Sequence, residues 1–185
     1  MVFSINIPVK INSGRGCLKA DYNDLLLGKR AMIVSGSSGA KSSGALDHVI
    51  NILNENDVDH VSYSGVPANP PLLDAYEAGK LAAEFNADYI IGIGGGSAMD
   101  TAKAVAAFAA NPNIAPDDIF NSANLVNGAL PIVLIPTTAG TGSEANPYSV
   151  LSLPCGEKKK TYSSPYAWAK TAFLDPAYTE SLNYS

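Results

Sequence analysis

The chain has 185 residues, 46% of them hydrophobic, with 17 acidic against 12 basic side chains and a formal net charge of -5. That size and apolar content suit a single domain with one good core, and the acidic balance, with Lys158-Lys159-Lys160 as the one basic run, excludes a large nucleic-acid footprint. Cys17 and Cys155 are too few for a disulfide framework and lack zinc-ligand spacing; with no apolar run near the ~20 residues of a membrane span and no leader pattern, a cytoplasmic protein without a membrane partner is expected.

In chain order, the first strand is expected at residues 30–34, Arg30-Ala31-Met32-Ile33-Val34. After it, Leu46, Val49, Ile50 and Leu53 fall at helical spacing and mark a core-facing helix. A strand at 60–63 follows, then a second helical stripe of Leu72, Ala75, Gly79, Ala82 and Phe85. Residues 89–93 form a buried-looking strand that runs into Gly94-Gly95-Gly96-Ser97 and an Ala/Val/Phe helix. Strands at 132–135 and 171–174 enclose a hairpin of 148–153 and 158–163, turning at Pro154-Cys155-Gly156. Short β-branched runs alternating with helices predict an α/β fold, a doubly wound parallel Rossmann-like sheet, here with an added β-hairpin, and the whole of 1–185 reads as one domain.

Ligands in such sheets sit beyond the C-terminal ends of the strands, and three loops there carry chemistry. The turn Gly94-Gly95-Gly96 lets backbone approach an anion closely, and the helix that follows presents free amides and its positive dipole end. Gly92 and Gly94 fit the dinucleotide fingerprint, but Ser97 stands at the third glycine; the alternative is a structural turn with Ser97 as N-cap and Asp100 completing a capping box. In Pro136-Thr137-Thr138-Ala139-Gly140-Thr141-Gly142-Ser143-Glu144, the hydroxyls of Thr137, Thr138, Thr141 and Ser143 can donate to phosphate or ribose oxygens, or the segment is a polar turn. The loop Ser35-Gly36-Ser37-Ser38-Gly39-Ala40-Lys41 lacks the acid that would accept from a ribose 2'-hydroxyl; Gly36, Ser37, Ser38 and Lys41 offer space, hydroxyls and a cation, which suits a 2'-phosphate. It also nearly matches a phosphate-binding P-loop, leaving a nucleotide triphosphatase as a rival, and Ser caps at a helix entry as the plain alternative.

Other polar residues have plain readings. His48 and His60, the only histidines, lack partners at metal spacing and are expected to be structural. Asp100 and Lys103 share a helix face as a surface ion pair, and the Lys158-Lys160 run is a solvated hairpin charge cluster.

The glycine turn and the 136–144 loop together resemble the iron-containing (type III) alcohol dehydrogenases of the dehydroquinate synthase-like fold: residues 94–103 look like the family's GGGSxxDxxK turn and 136–144 like its PTTAGTGSE loop. Gly65-Val66-Pro67-Ala68-Asn69-Pro70 and Phe173-Leu174-Asp175-Pro176 are also similar to family segments, in register from about Phe3 to Ser185. The resemblance implies a pyrophosphate held by Gly94, Gly95, Gly96 and Ser97, adenine and ribose beside Thr137 and Thr138, and Asp100 facing nicotinamide and substrate as the catalytic residue. Gly36 stands where members preferring NAD carry Asp, which implies NADP, with NAD still open; Lys159 or Lys160 corresponds to a cofactor-contacting lysine. The substrate implied is a small alcohol or aldehyde, and a homo-oligomer is possible. The family's Fe(II) or other divalent metal is bound by one Asp and three His of a helical C-terminal domain; this chain matches only the N-terminal half, so no metal ligands are expected in it. Within the fold, a glycerol dehydrogenase, maleylacetate reductase or dehydroquinate synthase relative is the neighbouring alternative, and a non-catalytic nucleotide-binding module the distant one.

Overall fold

The computed structural model describes residues 6–154 and 158–180; Cys155, the turn around it, and both ends of the family-like register lie outside the described residues. Six parallel strands form the sheet in the order β1-β8-β5-β4-β2-β3: β1 Lys10–Ser13, β2 Arg30–Gly36, β3 Asp59–Val66, β4 Tyr89–Gly94, β5 Ile132–Pro136 and β8 Thr171–Leu174. The antiparallel pair β6 Tyr148–Ser152 and β7 Lys159–Ser163 makes the expected hairpin. Crossovers are carried by α3 Ala45–Glu55, α4 Leu72–Glu84 and α5 Gly96–Ala110, with short helices α1 Cys17–Ala20 and α2 Gly39–Ser42 at strand exits. The doubly wound fold with its added hairpin is therefore present.

Alternation within the strands divides the core. Ile33, Ile91, Ile93, Val133, Ile135 and Phe173 pack against Val49 and Leu53 of α3 on one face, while Met32, Val34, Ile90, Ile132 and Leu134 meet Ala78 and Ala82 of α4 and Met99, Ala102 and Val105 of α5 on the other. Both faces of β4 are covered, which is why its sequence is an unbroken apolar run. The hairpin lies on the α4–α5 side, where Leu151 and Tyr162 join Leu72, Ala104 and Phe108.

Three details depart from the sequence expectation. β1 was not expected: Lys10-Ile11-Asn12-Ser13 is a four-residue edge strand with one apolar side chain, and it exists through its ladder to β8, from Lys10 opposite Thr171 to Ser13 opposite Leu174. Ser97 is not the N-cap of α5; Gly95 is, in extended conformation, and no side chain caps the helix. Likewise Ser38 stands at the N-cap of α2 without a side-chain bond.

Candidate functional site

The glycine turn leaves β4 and enters α5 within two residues. Gly94 has φ +144°, and a Cβ there would lie 2.9 Å from the Ala98 Cβ and 3.4 Å from the Gly36 amide nitrogen, so the close approach of the two loops requires glycine. The first α5 hydrogen bond runs from the Met99 N–H to the Gly95 carbonyl at 3.1 Å. The amides of Gly96, Ser97 and Ala98 precede it and have no acceptor inside the helix. They stand at the positive end of a 15-residue helix.

Those amides open into a cavity of about 380 Å³, which gathers Gly36, Ser37, Ser38 and Gly39 after β2, Val66-Pro67-Ala68 after β3, 94–98, and Thr137 with Thr138 after β5. No lining residue carries a charge. Beside it, a cavity of about 310 Å³ is bounded by Ser13, Pro136, Thr138, Ala139, Gly140, Glu144, Leu174 and Asp175. Thr138 borders both cavities. Its Oγ1 is buried, has no hydrogen-bond partner among the described residues, and lies 3.1 Å from where a Gly95 Cβ would stand. An orphaned hydroxyl there can serve a ligand that spans the two spaces.

The remaining expected residues are distributed differently. Lys41 sits exposed on α2 and does not line the cavity. Thr141 is the nearest side chain to Gly96, with its Cβ 3.3 Å from where a Cβ would stand. The two hairpin lysines separate: Lys159 Nζ donates to Asn69 Oδ1 at 2.7 Å, in the loop after β3, whereas Lys160 Nζ stands 4.4 Å over the Phe120 ring. Asp175 is buried and accepts from the amides of Gly16 at 2.8 Å and Ala177 at 3.0 Å, which ties the segment after β1 to the turn after β8.

Asp100 and Lys103 do not form a surface pair. Lys103 is fully buried, and its Nζ donates to Ser143 Oγ at 2.8 Å, the Tyr148 carbonyl at 2.7 Å and Asn146 Oδ1 at 3.3 Å, with Asp100 Oδ1 at 3.7 Å. Burial pulls its pKa down from 10.5 to about 8, opposed by the charges of Asp100 and Glu144. Ser143 Oγ donates in turn to Asp100 Oδ1 at 2.6 Å, and the Val150 amide to Asp100 Oδ2 at 2.9 Å. Both Asp100 oxygens thus hold protein donors, and the Ser143 hydroxyl points at this network. The Ala, Met, Val and Phe residues that surround Asp100, Thr101 and Lys103 in α5 hint that the helix is buried, but the acceptors that make the burial of Lys103 tolerable come from residues 143–148 and are not encoded locally.

Among the described residues no group of three His, Cys, Asp or Glu side chains could hold a metal ion. His48 Nδ1 lies 3.0 Å from the Tyr178 hydroxyl, in keeping with a structural role. No helix among the described residues is long and apolar enough to cross a membrane.

Comparison with known proteins gives this arrangement its family. Residues 8–176 match the family described as iron-containing alcohol dehydrogenase. The chain is 31% identical over 182 residues to the NADPH-dependent aldehyde reductase YqhD of Escherichia coli, covering 97% of this chain and 46% of that protein. It is 32% identical to the NADH-dependent butanol dehydrogenase B of Clostridium acetobutylicum, covering 97% and 46%. The iron-containing alcohol dehydrogenase of Thermotoga maritima superposes with a TM-score of 0.90 at 36% identity, over 98% of this chain and 50% of that one. The chain spans about half the length of the curated relatives it matches. Its relatives are NAD(P)H-dependent alcohol and aldehyde oxidoreductases, and the chain itself belongs to the iron-containing alcohol dehydrogenase family.

Proposed function

We propose that residues 1–185 are the cofactor-binding half of an NADP-dependent, metal-dependent dehydrogenase that moves hydride between a primary alcohol or aldehyde and nicotinamide. The observation that carries this reading is the uncharged cavity joining the Gly36–Ser38 segment to the free amides of α5. The amides of Gly96, Ser97 and Ala98 would hold the pyrophosphate. Ser37 and Ser38 would donate to a 2'-phosphate at the exit of β2, where an acidic side chain would repel it, with Lys41 adding a solvent-side cation. Thr137 and Thr138 would line the adenine and ribose side, and the orphaned Thr138 Oγ1 supports that use.

When bound, the nicotinamide supplies or accepts the hydride; this chain's contribution is to seat and orient it. Asp100 and Ser143, linked to each other, would stand behind the nicotinamide side with Thr141, and Lys159 would close over the cavity from the hairpin. The described residues do not fit a metal, so the metal of the whole protein is proposed to be bound outside them. Fluorescence titration of the chain with NADPH, NADH and ATP tests the reading. NADPH is expected to bind tightest, NADH more weakly, and ATP weakest; ATP binding tighter than both dinucleotides would reverse the assignment in favour of the P-loop-like reading.

A further inference from the structure

Lys103 is an unexplained expense in a helix of alanines. A buried ammonium is costly unless every proton finds an acceptor, and here all three do, in the segment 143–148: Ser143 Oγ, the Tyr148 carbonyl and Asn146 Oδ1. That segment joins the 137–142 loop of the cavity to the hairpin. Asp100, one turn earlier in α5, holds the same stretch from its other side through Ser143 Oγ and the Val150 amide, and the Ser149 hydroxyl donates to the Asp100 carbonyl at 2.7 Å.

The loop itself has few other fixings. At its start the Thr137 amide donates to the Gly94 carbonyl at 2.9 Å. Between that point and Ser143, residues 139–142 are exposed, and Gly140 and Gly142 have φ of +93° and +63°. A glycine-rich exposed loop takes its position from its two ends. One end is pinned to the glycine turn, and the other to Lys103.

We propose that Lys103 is a positioning residue of the cofactor site: its ammonium, without touching cofactor, fixes the 137–143 loop and the hairpin against the N-terminal half of α5, and cofactor affinity depends on that fixing. The inference rests on the cofactor reading above. An ammonium satisfies three acceptors and a neutral amine only two, so loss of the proton releases one of them. The charged groups acting on Lys103 are Asp100 from its own helix and Glu144 from the turn after the loop; from β6, Tyr148 meets it through its carbonyl oxygen.

The test compares the wild-type chain with Lys103→Met by NADPH titration between about pH 7 and pH 9.5, a range that brackets the lowered lysine pKa, together with hydrogen exchange of the cofactor-free proteins. Lys103→Met is expected to keep its circular dichroism, to bind NADPH about tenfold more weakly at the lower pH, and to show no further change with pH, while wild-type affinity falls several-fold across the range. Its amides at 139–142 should exchange faster than in wild type. Equal affinity in the two proteins, or parallel pH profiles, would overturn the proposal. If the variant does not fold, wild-type exchange decides: corrected for intrinsic rates, it should quicken with pH at 139–142 and not at 90–94, and a uniform response overturns the proposal. A wild-type chain that binds neither NADPH nor NADH defeats the cofactor reading instead, and the exchange contrast at 139–142 still tests Lys103 as the loop's anchor.

Discussion

At the residue scale, the site is built on backbone more than on side chains. Gly94 combines a φ of +144° with a prospective Cβ contact of 2.9 Å to Ala98, so Gly94→Ala is expected to cost about 2 kcal/mol or more in urea unfolding and to abolish NADPH binding. Gly36 is different: its φ is ordinary, and a Cβ would meet its nearest neighbour, the Ala98 Cβ, at 4.0 Å. There is room for a side chain, so only its chemistry decides the outcome. Gly36→Asp is expected to fold normally, to weaken NADPH by at least about tenfold through repulsion of the 2'-phosphate, and to strengthen NADH, both read by titration. A variant that kept its preference for NADPH would remove the Gly36 loop from the site.

At the element scale, the pairing of α4 with α5 sets where the glycine turn points. A Cβ on Gly79 would come 2.3 Å from the Phe108 Cβ, so the helices cross in direct contact. Alanine is the better helix former by about 1 kcal/mol, but forcing the helices apart costs about 1–3 kcal/mol; Gly79→Ala is therefore expected to lower the urea midpoint despite its propensity. The other five strands of the parallel sheet, the three crossover helices and the hairpin were legible because each carries its own period and its own breakers. β1 was not, since four residues with one apolar side chain become a strand only through the β8 ladder. The three loops announced themselves by glycine and hydroxyl content, and nine of their expected residues do line one cavity. The burial of Lys103 and the turning of Ser143 toward Asp100 depend on contacts about 40 residues apart in sequence, which local pattern does not encode. Lys159 and Lys160 were inseparable in sequence for the same reason: the Asn69 and Phe120 that part them come from other elements.

At the scale of the whole molecule, buried titrating groups make stability depend on alkaline pH in two opposed ways. The pKa of Lys103 is lowered to about 8 in the fold from 10.5; the unfolded chain then binds more protons between those values, and stability rises with pH across that window. Burial pushes the phenol of Tyr162 up to about 12 and raises those of Tyr89 and Tyr178 from the ordinary 10. Their neutral forms belong to the fold, so stability falls as pH climbs above 10. Urea midpoints measured across this range should show the fall diminished in Tyr162→Phe.

The same C-terminal edge of the sheet gathers loops from β2, β3, β4 and β5 into one cradle, and a dinucleotide bound there must touch them together. Hydrogen exchange of the chain with and without NADPH tests this most directly. Slower exchange is expected at 36–39, 94–98 and 137–142, with no change in the polar cleft around His48, Asn51 and Asn56 on the outer side of α3. Protection confined to that cleft, or no protection at 94–98 under saturating NADPH, would contradict the assignment of the glycine turn as the cofactor's seat.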